Sequence, residues 1–210
     1  DLKELEKRIG RPLATMGRLP PFNKLILSQF METQYCTWDT SFNHADLEWL
    51  KSWILKVPHI ETLVICLNQS VQNLIPCIAL ICPKISKIEF VFEKGVTDAV
   101  QNLATSLSLF GQRNPELQSL CVRGLFGMNS SNTSMDAAVC ELTKYCKNLR
   151  HIELGSAHLT DAGLRSLEAC TQLENIVLDN CDFTNNGLSC FSFKCKRLRN
   201  VKLSYCCDIA

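Results

Sequence analysis

The sequence predicts an α/β solenoid, with short parallel strands stacked on one face and helices on the other. Three observations carry this expectation. An apolar frame, Φ-x-x-Φ-x-Φ with Φ apolar, recurs along the chain, starting at Phe22, Ile60, Ile85, Leu117, Leu149, Leu173 and Leu198. Between frames, Thr followed by Asp or Asn opens an i, i+3 apolar series, the signature of a helix start. Cysteine recurs three residues before the frame, at Cys82, Cys146, Cys170 and Cys195. Self-similarity at a period of roughly 20–50 residues marks stacked units that cannot bury their apolar faces alone.

Residues 1–18 come first. Leu2, Leu5 and Ile9, interleaved with Lys3, Glu4, Glu6, Lys7 and Arg8, predict an amphipathic helix, either of a preceding repeat or of a cap. The repeat domain is expected over 19–210. Its strands should centre on 24–27, 62–65, 87–90, 119–122, 151–154, 175–178 and 200–203, where apolar residues alternate with polar ones. Between the first two strands, Leu47, Trp49, Leu50, Trp53 and Ile54 form a helical apolar stripe read as core packing. Helices should follow Thr97-Asp98, Thr160-Asp161 and Thr184-Asn185, with the short polar residues capping orphan N–H groups. The long interval before Leu117 is expected to lengthen the helix that begins near Thr97. The stretch 125–133, LFGMNSSNT, has loop composition. The chain opens on Asp1 and closes on Ala210, and it is read as a piece of a longer protein, truncated at the C-terminus.

The unit Leu173-x-x-Ile176-x-Leu178-x-x-Cys181-x-Phe183-Thr184-x-x-Gly187-Leu188 resembles the leucine-rich-repeat family, in its cysteine-containing subtype. The resemblance covers about residues 19–210 and is closest in the last three frames. It implies a horseshoe arc with parallel strands on the concave face and helices on the convex face. It goes further, because repeats of this subtype are typical of F-box proteins, the substrate receptors of SCF ubiquitin ligases. There the repeats hold the target for proteasomal degradation and a separate F-box holds the ligase adaptor. The resemblance therefore implies a protein target on the concave face, an adaptor bound only through a region outside this chain, and a cytoplasmic or nuclear location. A repeat scaffold or regulatory adaptor unrelated to ubiquitin transfer is the alternative.

Composition narrows the function classes. Hydrophobic residues at 46% and charged residues at 20% describe a folded chain, not a disordered one. Lys+Arg 22 against Asp+Glu 21 leaves a net charge of +1, which argues against a broad polyanion-binding face and hence against nucleic acid. No apolar run approaches the roughly 18 residues of a membrane span, and the best, 75–81, holds Pro76. No Gly-rich phosphate loop or G-x-S-x-G stands in the sequence. No metal and no cofactor are expected, and no catalytic residue is assigned. The chain is expected to bind, not to catalyse.

The 13 cysteines are read chiefly as small buried hydrophobes, since Cys82, Cys146, Cys170 and Cys195 share one repeat position and Cys181 and Cys206 another. Neighbouring rungs would bring thiols close, so spacing alone leaves disulfides open. Cys77/Cys82 and Cys206-Cys207 lack partners at zinc-finger spacing. The residue eight after the frame start, Asn68, Cys181 or Cys206, is expected to satisfy interior backbone groups. Asn68, Asn129 and Asn132 open glycosylation sequons read as chance matches.

The candidate site is the row of side chains that alternate away from the core. It comprises Lys24, Lys87, Glu89 and Arg123, then His151, Glu153, Asn175 and Asp179, and finally Asn200 and Lys202. Mixed charge with apolar spots suits a folded protein or peptide better than a polyanion.

Overall fold

The computed structural model describes residues 24–27, 61–67, 85–92, 99–124, 134–155 and 158–206. The amphipathic stretch 1–18, the Trp49/Trp53 stripe, the three sequons, Asp98, the loop 125–133 and the side chain of Lys24 lie outside the described residues.

All seven expected strand segments are present. They are β1 (Lys24–Leu27), β2 (Thr62–Leu67), β3 (Lys87–Phe92), β4 (Ser119–Arg123), β5 (His151–Gly155), β6 (Asn175–Asp179) and β7 (Asn200–Ser204). They form one parallel sheet in chain order, β1 through β7, and the sheet does not close on itself. Four helices are described, each between successive strands: α1 (Ala99–Arg113), α2 (Asp136–Tyr145), α3 (Asp161–Leu167) and α4 (Asn185–Lys194). The chain is thus an α/β protein built on an open parallel sheet. The extra residues before Leu117 do lengthen a helix, because α1 has 15 residues where α2 and α4 have 10.

The register follows the apolar frame. Leu63, Ile88, Leu120, Ile152, Ile176 and Val201 are successive partners across the sheet, and Ile65, Phe90, Val122, Leu154, Leu178 and Leu203 form the next column. Both columns point to the helices and join one core with Leu103, Leu107, Phe110, Leu142, Leu164 and Phe191. Phe90 and Phe110 meet edge to face at 5.8 Å. Val201 departs from its column, being 50% exposed. It lies on the last strand, and among the described residues nothing packs beyond it.

Polar groups fix one unit on the next. Before each of β3 to β7, two consecutive N–H groups donate to a single carbonyl of the previous unit, as Ser86 and Lys87 do to Glu61, Arg150 and His151 to Gln118, and Arg199 and Asn200 to Glu174. The repeat-position thiols do the same with S–H. Cys146 donates to the Asn114 carbonyl at 3.4 Å, Cys170 to Cys146 at 3.3 Å, and Cys195 to Cys170 at 3.7 Å. These cysteines are therefore more than apolar filler. In the unit of β4, which lacks cysteine at this place, Asn114 bonds the backbone instead. Its Oδ1 accepts from the Ile85 N–H at 2.7 Å and its Nδ2 donates to the Phe110 carbonyl.

The expectation that Asp161 caps its own helix is corrected. Thr160 does that, accepting from the Ala162 N–H, and Thr184 does it for α4. Asp161 faces the following unit, where it accepts from the Thr184 N–H at 2.7 Å and hydroxyl at 2.9 Å. Asp136 makes the same pair of bonds with Thr160. The N–H of a cap residue lies ahead of the helix's own hydrogen-bond ladder, so it needs an acceptor from elsewhere.

Candidate functional site

Strand alternation leaves one sheet face without helices among the described residues. Every described candidate lies there. Lys87, Arg123, Asn200 and Lys202 are exposed, and Glu89, His151, Glu153, Asn175 and Asp179 are half-buried. Parallel pairing sets them in rows. Lys87, Ser119, His151, Asn175 and Asn200 are successive partners, followed by Glu89, Cys121, Glu153, Val177 and Lys202.

At the centre the charges are joined. Arg123 forks onto Glu153, with Nε 2.7 Å from Oε1 and an outer nitrogen 2.8 Å from Oε2. Its other outer nitrogen reaches Glu89 Oε1 at 2.6 Å. One guanidinium on β4 thus links carboxylates on both neighbouring strands, which its planar fork allows and a lysine could not reproduce. The hydrogen bond from Arg123 holds the Glu153 carboxyl below its usual range, and the same bond raises the Arg123 guanidinium. Read from sequence, Arg123 is a free cation of the face. In the fold it is a clamp between two anions.

Beneath the clamp sits Cys121, 8% exposed although it points to the open face. It is short and lies between longer neighbours. Burial pushes its thiol up to about 11, with the Glu153 charge acting in the same direction. At neutral pH it is a thiol, which does not suit a nucleophile. His151 is its diagonal neighbour on β5, and the Sγ, a ring nitrogen of His151 and a carboxylate oxygen of Glu153 all lie within 4.8 Å of one another. Nothing along the chain pairs Cys121 with His151, because the two lie far apart in sequence. Register supplies the missing signal: Ser119 pairs with His151 and Cys121 with Glu153.

Further along the face, Asn200 donates to Asn175 Oδ1 at 2.6 Å, extending the polar row onto β7. A second cluster lies where the chain leaves the strands. His158 Nδ1 is 3.0 Å from Asp182 Oδ2, and Asn180 lies 3.4 Å from the other ring nitrogen. Asn180 adopts left-handed backbone directly after β6, as Gly124 does after β4 and Tyr205 after β7, and His158 does so three residues after β5. Gly124 has a further reason: a Cβ there would stand 2.2 Å from the Phe92 carbonyl oxygen. These residues shape the exits and sit apart from the clamp.

Among the described residues no helix is long and apolar enough to cross a membrane. Comparison with protein-family models and with curated proteins finds no match.

Proposed function

We propose that the chain is a leucine-rich-repeat solenoid and that its helix-free face, the concave side of the arc, binds a protein partner. The observation that carries this reading is the Glu89–Arg123–Glu153 clamp. It fixes three long side chains on three adjacent strands before any partner arrives. Side chains already ordered cost less to immobilise on binding. Around the clamp, Lys87 and Lys202 add exposed positive charge, and Val91 and Val177 add half-buried apolar surface. This mixture matches the rim and core of protein interfaces better than a polyanion groove.

Recruitment of that partner to an SCF-type ubiquitin ligase, in the cytoplasm or nucleus, rests on the resemblance of the repeat unit alone. The ligase adaptor would be held by a region outside this chain. A repeat scaffold outside ubiquitin transfer is the second reading.

The test is capture from cell extract with Lys87→Glu and Lys202→Glu, singly and together. Both side chains are exposed, so folding should be little altered. Partner capture should fall through slower association or lost contacts. Undiminished capture, with loss instead on substitution of the helix-covered side, would assign binding to the other face. Full-length protein that never co-purifies with a ligase adaptor would favour the scaffold.

A further inference from the structure

The Cys121, His151 and Glu153 cluster brings one thiol, one imidazole and one carboxylate to a single point of the open face. These three donor types make a borderline-soft set that suits zinc better than calcium or magnesium, which prefer oxygen alone. Geometry is close to what a zinc ion needs. Zinc–ligand bonds of about 2.0–2.3 Å imply donor separations of roughly 3.3–3.8 Å in a tetrahedron. His151 Nε2 and Glu153 Oε2 stand 3.9 Å apart, and Cys121 completes a triangle with no side longer than 4.8 Å. Closing that triangle takes about 1 Å, within reach of side-chain torsions at the two half-buried residues.

The surroundings fit as well. Glu89 and Glu153 bring two negative charges against the single positive charge of Arg123. Loss of the Cys121 proton would add a third negative charge, and a divalent cation would then bring the group to neutrality. Arg123 bonds both oxygens of Glu153, Nε to Oε1 and an outer nitrogen to Oε2, the oxygen nearer His151, so ligation through Oε2 uses that oxygen's second lone pair while Arg123 keeps the carboxylate oriented.

We propose that Cys121 Sγ, a His151 ring nitrogen and Glu153 Oε2 form a zinc site with three protein ligands and a fourth position open on the helix-free face. On binding, the Cys121 S–H bond breaks, its proton passes to the buffer, and a Zn–S bond forms. No oxidation or reduction is involved. The proposal does not depend on the face binding a protein, and its test uses the metal alone.

Cobalt(II) is the optical probe, added to the intact chain at neutral pH under reducing conditions. The expected result is a near-ultraviolet thiolate-to-cobalt band with visible bands of tetrahedral intensity, saturating at one ion per chain and bleached by zinc. Zinc binding to the unloaded protein should release about one proton. Cys121→Ser should abolish the thiolate band. His151→Ala and Glu153→Gln should each weaken affinity at least tenfold, since even outer partners are worth roughly 10–100-fold. Cys140→Ser, at an exposed thiol on α2, should change nothing. Circular dichroism of each variant separates lost ligation from lost folding, and His151→Ala serves if Cys121→Ser does not fold. Absence of the thiolate band in the parent chain, or its persistence in folded Cys121→Ser, overturns the site.

Discussion

The Asp161 carboxylate accepts two hydrogen bonds from Thr184, one from its N–H and one from its hydroxyl, across the boundary between repeat units. The same oxygen, Oδ1, would stand 2.3 Å from a Cβ placed on Gly187. Asp136 stands in the same relation to Thr160 and Gly163. The Thr-x-x-Gly of the repeat therefore has one physical cause: the Thr receives the carboxylate of the unit before it, and the Gly leaves room for it. Gly187→Ala should cost about 1–3 kcal/mol by overpacking. In an Asp161→Ala background the added cost should shrink, which a double-mutant cycle in urea measures. Equal costs in both backgrounds would mean that Asp161 is not what the methyl group meets.

Bonds from the Thr184 N–H, and secondarily from its hydroxyl, hold the Asp161 carboxyl below its usual range. A lowered folded pKa gives stability that is present above the unfolded value, about 3.9, and lost as pH falls through the folded one. The urea midpoint should therefore drop on acidification below about pH 4. Asp161→Asn should lower the midpoint at pH 7 and flatten part of that acid dependence. An unchanged acid limb in the variant would remove Asp161 from the linkage.

Ile176 is 1% exposed and stands in the inner column between Ile152 and Val201. Ile176→Ala should cost about 2–5 kcal/mol through cavity formation. Its neighbour Asn175 is half-buried on the open face and only accepts from Asn200, so Asn175→Ala should cost less than about 1 kcal/mol. Similar losses in denaturant titration would show that the two faces are interchanged.

The strands were legible because the frame is periodic and each frame must stack on the last. Leu149, Leu173 and Leu198 predict β5, β6 and β7 by position alone. What escaped a reading along the chain was contact between units. Asp161 follows a helix-start Thr, so local capping explains it fully until the next unit is placed beside it. Asn114 stands where four other units have cysteine, and only the fold shows that it too bonds backbone of the unit before it, as an acceptor from the Ile85 N–H. Cys121 and His151 meet because strands pair in register, and Arg123 becomes a clamp for the same reason. Each of these needs two units at once, and the spacing of one unit carries no information about side chains across the gap.

Thiol reactivity should follow burial. Among the described cysteines Cys140 is exposed and Cys206 intermediate, while Cys121, Cys146, Cys170, Cys181 and Cys195 are buried, and all are free thiols. Burial pushes Cys146, Cys170 and Cys181 up to about 12 and Cys195 to about 11. Since the thiolate is the species that alkylates, a small reagent at pH 7.5 should label Cys140 first and the five buried thiols only after denaturation. Peptide mapping reads this out. Rapid native labelling of Cys170 would contradict its place in the core, and a native disulfide at any of the seven would contradict the free-thiol arrangement.

The clamp itself is open to measurement. Arg123 and its two carboxylates are partly exposed, with side-chain exposures of 48%, 24% and 23%. Water screens such a network, so Arg123→Lys should cost less than about 1 kcal/mol. The charge is kept, but a lysine ammonium cannot fork onto Glu153 while holding Glu89. A cycle of Arg123→Gln with Glu153→Gln should give a favourable coupling of roughly 0.2–1 kcal/mol in dilute buffer. It should shrink in 1 M salt, where the Debye length falls to about 3 Å. If the clamp also prepares the face for a partner, Arg123→Lys should weaken capture by more than its small stability loss accounts for, with faster release as the cause. Zero coupling at low salt would mean that the three side chains do not hold one another in solution. The face would then not be ordered in advance, and that support for a recognition role would fall with it.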